Sequence, residues 1–144
     1  MLVSKAEISN YLPQREPMLM VDELLEYQDG YTLSAFCPQA DNVFINGNYF
    51  NESGMMENMA QTAALGIGYF AIKNKQEVPL GFIGAIKNLK IYRRPKIGQN
   101  IKTKITLLHE VLNASIVKAE VYLNQEKIAE GEYKIFLNPL AQNK

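Results

Sequence analysis

Two residues of this chain have the types and the spacing to share one piece of chemistry: Glu57 and Gln61, four positions apart. On a helix that spacing puts them on one face, one turn from each other. A carboxylate there can give or take a proton, or attack as a nucleophile, and an amide beside it can orient it. The stretch that carries them, residues 51–73, reads as a single helix. Asn51 or Ser53 can cap its start, Glu52 suits its positive end, and Lys73 suits its negative end. From Met59 to Ile72 it has no charged side chain. A helix without a polar face has to be covered on all sides. A membrane span needs about 20 apolar residues and this run has about 14, so a buried helix is expected and no membrane span. A carboxylate opening such a helix is costly unless it is paired or used. It also fits a bland reading, a first-turn charge stabilised by the helix dipole. Gly54 places a backbone N–H at the helix N-terminus, where a developing oxyanion can be received. Met55, Met56 and Met59 suit either the core or an adaptable apolar pocket lining.

The remaining reactive residues are few. His109 is the single histidine, and on the strand pattern it continues the face of Ile101, Ile105 and Leu107; it reads as a structural strand-end histidine or as a catalytic group. Cys37 is the single cysteine, so no intramolecular disulfide is expected, which fits a reducing compartment. One His and one Cys far apart make a metal site unexpected, and no cofactor is called for. Formal net charge is zero, which argues against nucleic acid as a main partner. With 47% hydrophobic and 21% charged residues the chain is globular rather than disordered. At 144 residues it is expected to form one domain over residues 1–144. Met1 to Lys5 lacks a charged start followed by an apolar run, so no signal peptide is expected and the cytoplasm is the expected location.

The elements that must position Glu57 follow from periodicity. Ser4 and Glu7 have capping-box spacing and open a short helix to about Tyr11. Met18 to Tyr27 is strand-like. Asp29-Gly30 turns the chain into a second strand, Tyr31 to Cys37. Pro38 to Asn51 reads as loop anchored by Val43, Phe44 and Ile45. After the helix come strands at Leu80 to Tyr92, Asn100 to His109, Ser115 to Leu123 and Lys127 to Leu137, and then a polar, frayed tail from Asn138 to Lys144. The last three alternate cleanly, with Ile101, Thr103, Ile105 and Leu107, then Val117, Ala119, Val121 and Leu123, then Ala129, Gly131, Tyr133, Ile135 and Leu137 facing inward. The strand at Leu80 to Tyr92 is apolar on both faces, with Ile83, Ala85, Leu89 and Ile91 on one and Phe82, Ile86 and Tyr92 on the other. As an open edge it invites pairing, so at least a dimer is expected. Two strands, one apolar helix and four hairpin-connected strands make an α+β architecture, an antiparallel sheet curled round a central helix.

Three segments together resemble the signatures of the hot-dog (3R)-3-hydroxyacyl-acyl-carrier-protein dehydratases. They are Tyr11-Leu12-Pro13-Gln14-Arg15-Glu16-Pro17-Met18-Leu19-Met20-Val21-Asp22, then Glu57-Asn58-Met59-Ala60-Gln61, then Gly84 to Pro95 with Gly98 beyond. Order and rough spacing match over about residues 11–137. The short loop before Glu57 is similar to the dehydratase-like branch associated with aryl-polyene and related pigment clusters. The resemblance implies a hot-dog fold, a dimer with sheets joined edge to edge, and an acyl–pantetheine tunnel at the interface of the two central helices. It implies that Glu57 is the catalytic carboxylate and that Gln61 is the family's glutamine; Gly54, Gln61, Met55 and Gln14 are the residues expected to contact substrate. Position 14 is often His in the family. The family's second catalytic group, a His in the loop before the helix from the other subunit, falls at Asn48 here. Asparagine can orient a thioester or a water but cannot accept a proton at neutral pH. The basic set Lys87, Lys90, Arg93, Arg94 and Lys96 reads either as a solvated strand edge or, through Arg93, Arg94 and Lys96, as a docking surface for an acidic carrier protein.

Dehydration needs a base for the C2 proton and an acid for the departing C3 hydroxyl. Three functions therefore fit. The chain is a dehydratase-like protein that binds acyl thioesters of a carrier protein or coenzyme A, its catalytic His replaced by Asn48. Or it is an acyl-binding subunit of a hot-dog heterodimer. Or it is a thioesterase using Glu57 alone.

Overall fold

The computed structural model describes residues 1–112 and 114–137. Its centre is helix α1, Glu52–Lys73, and of the two possible caps Asn51 is the one used: its Oδ1 accepts the Gly54 N–H at 2.9 Å. Around it the chain forms β1 (Glu23–Gln28), β2 (Tyr31–Phe36), a short ribbon of β3 (Ile45–Asn46) and β4 (Tyr49–Phe50), then β5 (Gly81–Ile91), β6 (Ile101–Val111), β7 (Ala114–Leu123) and β8 (Glu126–Leu137). Six strands make one antiparallel sheet in the order β1-β2-β6-β7-β8-β5. The helix lies across β2, β6 and β7. This is the α+β sheet around a central helix that the sequence pattern called for, and the hot-dog fold that the resemblance implied. Among the described residues no helix is long and apolar enough to cross a membrane.

The helix is covered from two sides. Met55, Met59 and Ala63 pack with Ile101, Ala119, Val121 and Tyr133 of the sheet. Leu65 and Tyr69 pack instead with Val3, Ile8, Leu12, Val21 and Leu24, so the N-terminal segment covers part of the helix that the sheet leaves bare. Gly68 lets that segment come close. A Cβ there would overlap the Tyr11 carbonyl oxygen, which is backbone and cannot yield. Gly68→Ala is therefore expected to destabilise by about 1–3 kcal/mol despite the better helix propensity of alanine; a lowered urea midpoint at unchanged m-value checks it.

Several boundaries differ from the sequence reading, each for a local reason. Ser4 does bond Glu7, Oγ to Oε1 at 3.0 Å, but only a 3-10 turn at Ile8–Asn10 follows before Pro13. The strand expected from Met18 starts at Glu23, because the backbone of Met18 and Met20 bonds to helix side chains rather than to a strand. The loop expected over 38–51 contains the β3–β4 ribbon. A bulge between Leu107 and His109 shifts the register, pairing His109 with Ile116 rather than with the row of inward residues. His109 is thus exposed and off the face on which the alternation placed it. In β5 two register shifts, the second around Asn88 at φ +54°, bring Ile86 and Leu89 both against the core, although simple alternation put them on opposite faces. The tail from Asn138 lies outside the described residues.

The outer face of the sheet carries a charge ladder. Lys127 Nζ sits 2.8 Å from Glu120 and 3.3 Å from Glu130, with Lys104 and Lys118 at 3.7 and 3.6 Å from those two carboxylates. Burial alone would push the Glu120 carboxyl up, but Lys127 outweighs it and holds it below its ordinary 4.5. The Tyr92 hydroxyl, then Lys127, do the same for Glu130. Lys127 is raised, first by its hydrogen bond to Glu120. Depressed carboxylates stabilise above their unfolded value and lose that stabilisation as pH falls through the folded one, so this contribution holds at neutral pH and fades below about pH 4.5. Glu120→Gln should lower the melting free energy at pH 7 by about 0.5–1 kcal/mol after solvent screening, and by clearly less at pH 3.

Candidate active site

The first turns of α1 present Glu57 and Gln61 to the N-terminal segment, which crosses the helix as an extended strap at Met18 to Met20. Gln61 is fully buried. Its Oε1 accepts the Met20 N–H at 2.7 Å, and its Nε2 donates to the Met18 carbonyl at 2.8 Å and to Glu57 Oε1 at 3.0 Å. The Met20 N–H can only meet an acceptor, so it fixes which end of the amide is oxygen. The NH2 group must then face Glu57. One carboxylate oxygen is held in place, and among the described residues Oε2 has no hydrogen-bond partner.

The next residue, Asn58, points into the helix–sheet junction. It is fully buried and donates to the Met20 carbonyl at 2.8 Å, while its Oδ1 accepts from the Thr103 hydroxyl of β6. Thr62 Oγ1 donates to the Asn58 carbonyl and lies 2.8 Å from Ser34 Oγ of β2. Buried polar groups are costly unless satisfied, and here each bond ties another element to Glu57: β2 and β6 to the helix, the helix to the strap, the strap to Gln61. From β8, Tyr133 donates its hydroxyl to the Met56 carbonyl at 2.9 Å. Burial first, then the neighbouring Glu57 carboxylate, push this phenol up, so it keeps its proton and acts as a fixed strut under the turn carrying Glu57.

Glu57 and Gln61 open onto a cavity of about 380 Å³, within the range of small-molecule sites. Ala60, Ala64, Ile67, Ile83 and Leu137 give it apolar walls. Gln14 lines it with a buried Oε1 that has no donor. Arg15 lines it too, its guanidinium bound to the carbonyls of Leu12 and Gln14. Glu57 is the one carboxylate among the lining residues, and no histidine lines the cavity. A single half-buried carboxylate, oriented by an amide and facing an apolar space, can deliver or take one proton.

The structure thus brings Glu57, Gln61 and Gln14 to one cavity. It does not bring Met55 there, since that side chain is fully buried in the main core. Gly54 is also placed differently. Its N–H is taken by the Asn51 cap and is not free for an oxyanion, and a Cβ there would overlap the Phe50 ring, so close packing accounts for this glycine. Asn48 sits exposed in the β3–β4 turn after Gly47 at φ +62°, its carbonyl accepting the Ile97 N–H at 2.9 Å, and it does not line the cavity of its own protomer. Beside it, Arg94 and Lys96 lie 5.0 and 5.9 Å from the Tyr49 ring centre. Arg93 is turned away to Glu126 at 2.9 Å. His109 lines neither this cavity nor the ribbon. The sequence reading passed over Asn58, Thr62, Tyr133 and Arg15. For the first two a signal existed: polar residues at 58, 61 and 62 of an otherwise apolar helix share neighbouring faces at spacings of three and four.

Comparison with known proteins bears on the family and the fold. A family model described as ApeP-like, ApeP dehydratase, matches residues 6–143. A 3-hydroxyacyl-[acyl-carrier-protein] dehydratase FabZ of Clostridium kluyveri is 28% identical over 129 residues, covering 88% of this chain and 90% of that protein. The protein of the same description from Shewanella woodyi is 26% identical over 136 residues, covering 88% and 86%. Among solved structures, the dehydratase heterocomplex ApeI:P from Xenorhabdus doucetiae superposes with a TM-score of 0.79 at 16% identity, covering 91% of this chain and 90% of that one.

Proposed function

The chain belongs to the ApeP-like family, and on that premise we propose that it is the Glu57-bearing component of a dehydratase acting on 3-hydroxyacyl thioesters, with the C2 base supplied by a partner hot-dog subunit. One observation carries this reading: among the described residues that line the cavity, Glu57 is the one carboxylate and there is no histidine. Dehydration breaks the C2–H and C3–O bonds, forms the C2=C3 double bond and releases water. Glu57, protonated, gives its proton to the leaving hydroxyl. The C2 proton needs a separate base, because one carboxyl cannot be ionised for the first transfer and protonated for the second at the same moment. Asn48, where the resemblance places the family's histidine, is an amide and cannot fill that role.

The other residues take supporting parts. Gln61 orients Glu57. Gln14 lines the same cavity, and its side-chain amide is a polar group on the wall facing the substrate. Arg94 and Lys96, with Tyr49 between them, make no ion pair among the described residues and suit an acidic acyl carrier protein or the phosphates of a coenzyme A thioester; Arg93 is engaged with Glu126. Edge strand β5, with Phe82 and the preceding Leu80 more than half exposed, is the surface for a second hot-dog subunit, identical or related. The FabZ relatives are acyl-carrier-protein dehydratases by name, and ApeI:P is a heterocomplex; both support a composite site. The cytoplasm, where acyl thioesters are made, suits this function.

The purified chain alone is expected to hydrate crotonyl thioesters and dehydrate 3-hydroxyacyl thioesters slowly while still binding them. Rapid release of free thiol, lost in Glu57→Ala, would contradict the dehydratase reading and make the protein a thioesterase.

A further inference from the structure

We propose that Lys87 and Lys90, on edge strand β5, make this edge reject a second copy of the chain and select a subunit whose edge strand presents carboxylates. The proposal rests on β5 being the surface for a second hot-dog subunit, as above. From Leu80 to Lys96 the sequence carries Lys87, Lys90, Arg93, Arg94 and Lys96 and no Asp or Glu. Lys87 and Lys90 are exposed and make no ion pair among the described residues. Opposite them in register on β8 stand Glu132 and Glu130. Glu132 accepts from Asn88 Nδ2 at 3.3 Å, and Glu130 is held by Lys127, Lys118 and the Tyr92 hydroxyl. Both ammonium groups are left for the strand that pairs with the open side of β5.

A second copy can meet this edge in two ways, and neither fits. It can bring its own β5. Leu80, Phe82 and Ile83 are exposed at the start of that strand, and Lys87 and Lys90 follow. Antiparallel pairing of two copies about Ile86 sets the apolar start of one against the cations of the other. The Cα atoms of the two Lys87 residues then lie about 8 Å apart, from strand rise and strand spacing, within about one Debye length. No register offers either lysine a carboxylate, because β5 has none. Like charges across strands oppose pairing, and edge lysines guard against it. The second copy can instead bring its acidic edge. Strand β1, at the other side of the sheet, has Glu23 and Glu26 and no cation. That edge is closed. The Leu2 N–H donates to the Leu24 carbonyl at 2.8 Å, the Leu24 N–H donates to the Val3 carbonyl at 3.0 Å, and a bulge interrupts β1 between Leu24 and Glu26. The complement that fits is a different chain, with an open edge strand that is acidic where it faces Lys87 and Lys90 and apolar where it faces Phe82.

The probe is this chain with its own edge reversed, Lys87→Glu, Lys90→Glu. Association is measured by analytical ultracentrifugation with one species fluorescently labelled. At low salt the equimolar mixture of wild type and reversed chain should associate at least about tenfold tighter than either does with itself, because cross-strand repulsion becomes attraction at two positions. At about 1 M salt, where the Debye length is about 3 Å, the gap should close to within about threefold, which a folding defect would not produce. Lys87→Gln, Lys90→Gln removes the repulsion and should self-associate about threefold tighter than the wild type. Wild type that pairs with itself as tightly as with the reversed chain overturns the proposal, as does a gap that salt leaves unchanged. No association in any sample overturns β5 as the subunit surface, and the selection with it; the proton chemistry at Glu57 is read separately, by dehydration.

Discussion

Glu57→Gln, assayed together with a partner subunit that supplies the base, is expected to lower dehydration by about 10²–10⁴-fold, the usual contribution of one general acid, while acyl-thioester binding changes by no more than about twofold. The geometry makes this substitution informative. Gln61 Nε2 donates to Glu57 Oε1 at 3.0 Å, and a glutamine at position 57 can present its carbonyl oxygen to the same donor. The half-buried side chain keeps its volume and its bond, and loses only the exchangeable proton. The loss should appear in kcat and kcat/KM alike, the signature of an interaction made in the transition state. An unchanged rate would remove Glu57 from the chemistry and return it to the role of a helix N-terminal charge. Gln61→Leu should behave differently. It frees the carboxylate, leaves the Met18 carbonyl and the Met20 N–H without their partner, and so costs stability as well as rate.

The second large effect is on folding. Asn58→Leu keeps the branching and the number of heavy atoms but leaves the Met20 carbonyl and the Thr103 hydroxyl buried without partners. Each such group costs about 1–3 kcal/mol, so a loss of about 2–5 kcal/mol is expected in a urea unfolding curve. The double substitution Asn58→Leu, Thr103→Val removes one orphan and should be less destabilising than the sum of the singles, because the two residues are in contact. A single-variant loss within about 0.5 kcal/mol would mean that the strap finds other partners, and that Asn58 does not hold it.

Much of this fold could be read from the sequence because its two periods are clean. The chargeless run after Met59 required a buried helix, and the alternation at residues 101–107, 117–123 and 129–135 gave three strands with their inward faces correct. What could not be read is what breaks period. Alternation carries no mark of the bulge that turns His109 outward or of the register shift at Asn88 that brings Leu89 inward. The strap at Met18 to Met20 looks like a strand by composition, and only the distant amides of Asn58 and Gln61 make it something else. The site was legible in part. Glu57 and Gln61 announce themselves as polar residues on an apolar helix, and Gln14 came from the family resemblance. Gly54 and Met55 were drawn into the site by their closeness in sequence to Glu57. The helix turns them elsewhere, one into the cap and the other into the core.

The central claim is that this chain holds the acid of a site whose base lies on another subunit. The most direct measurement is the dehydration rate of a 3-hydroxyacyl carrier-protein thioester while a histidine-bearing hot-dog partner from the same source is titrated into the purified chain. The rate should rise from near background and saturate at one partner per chain, and should stay near background when the chain carries Glu57→Gln. Full dehydration by the purified chain alone, unaffected by added partner, would contradict the account, for then Asn48 disables nothing and this protein completes the site by itself.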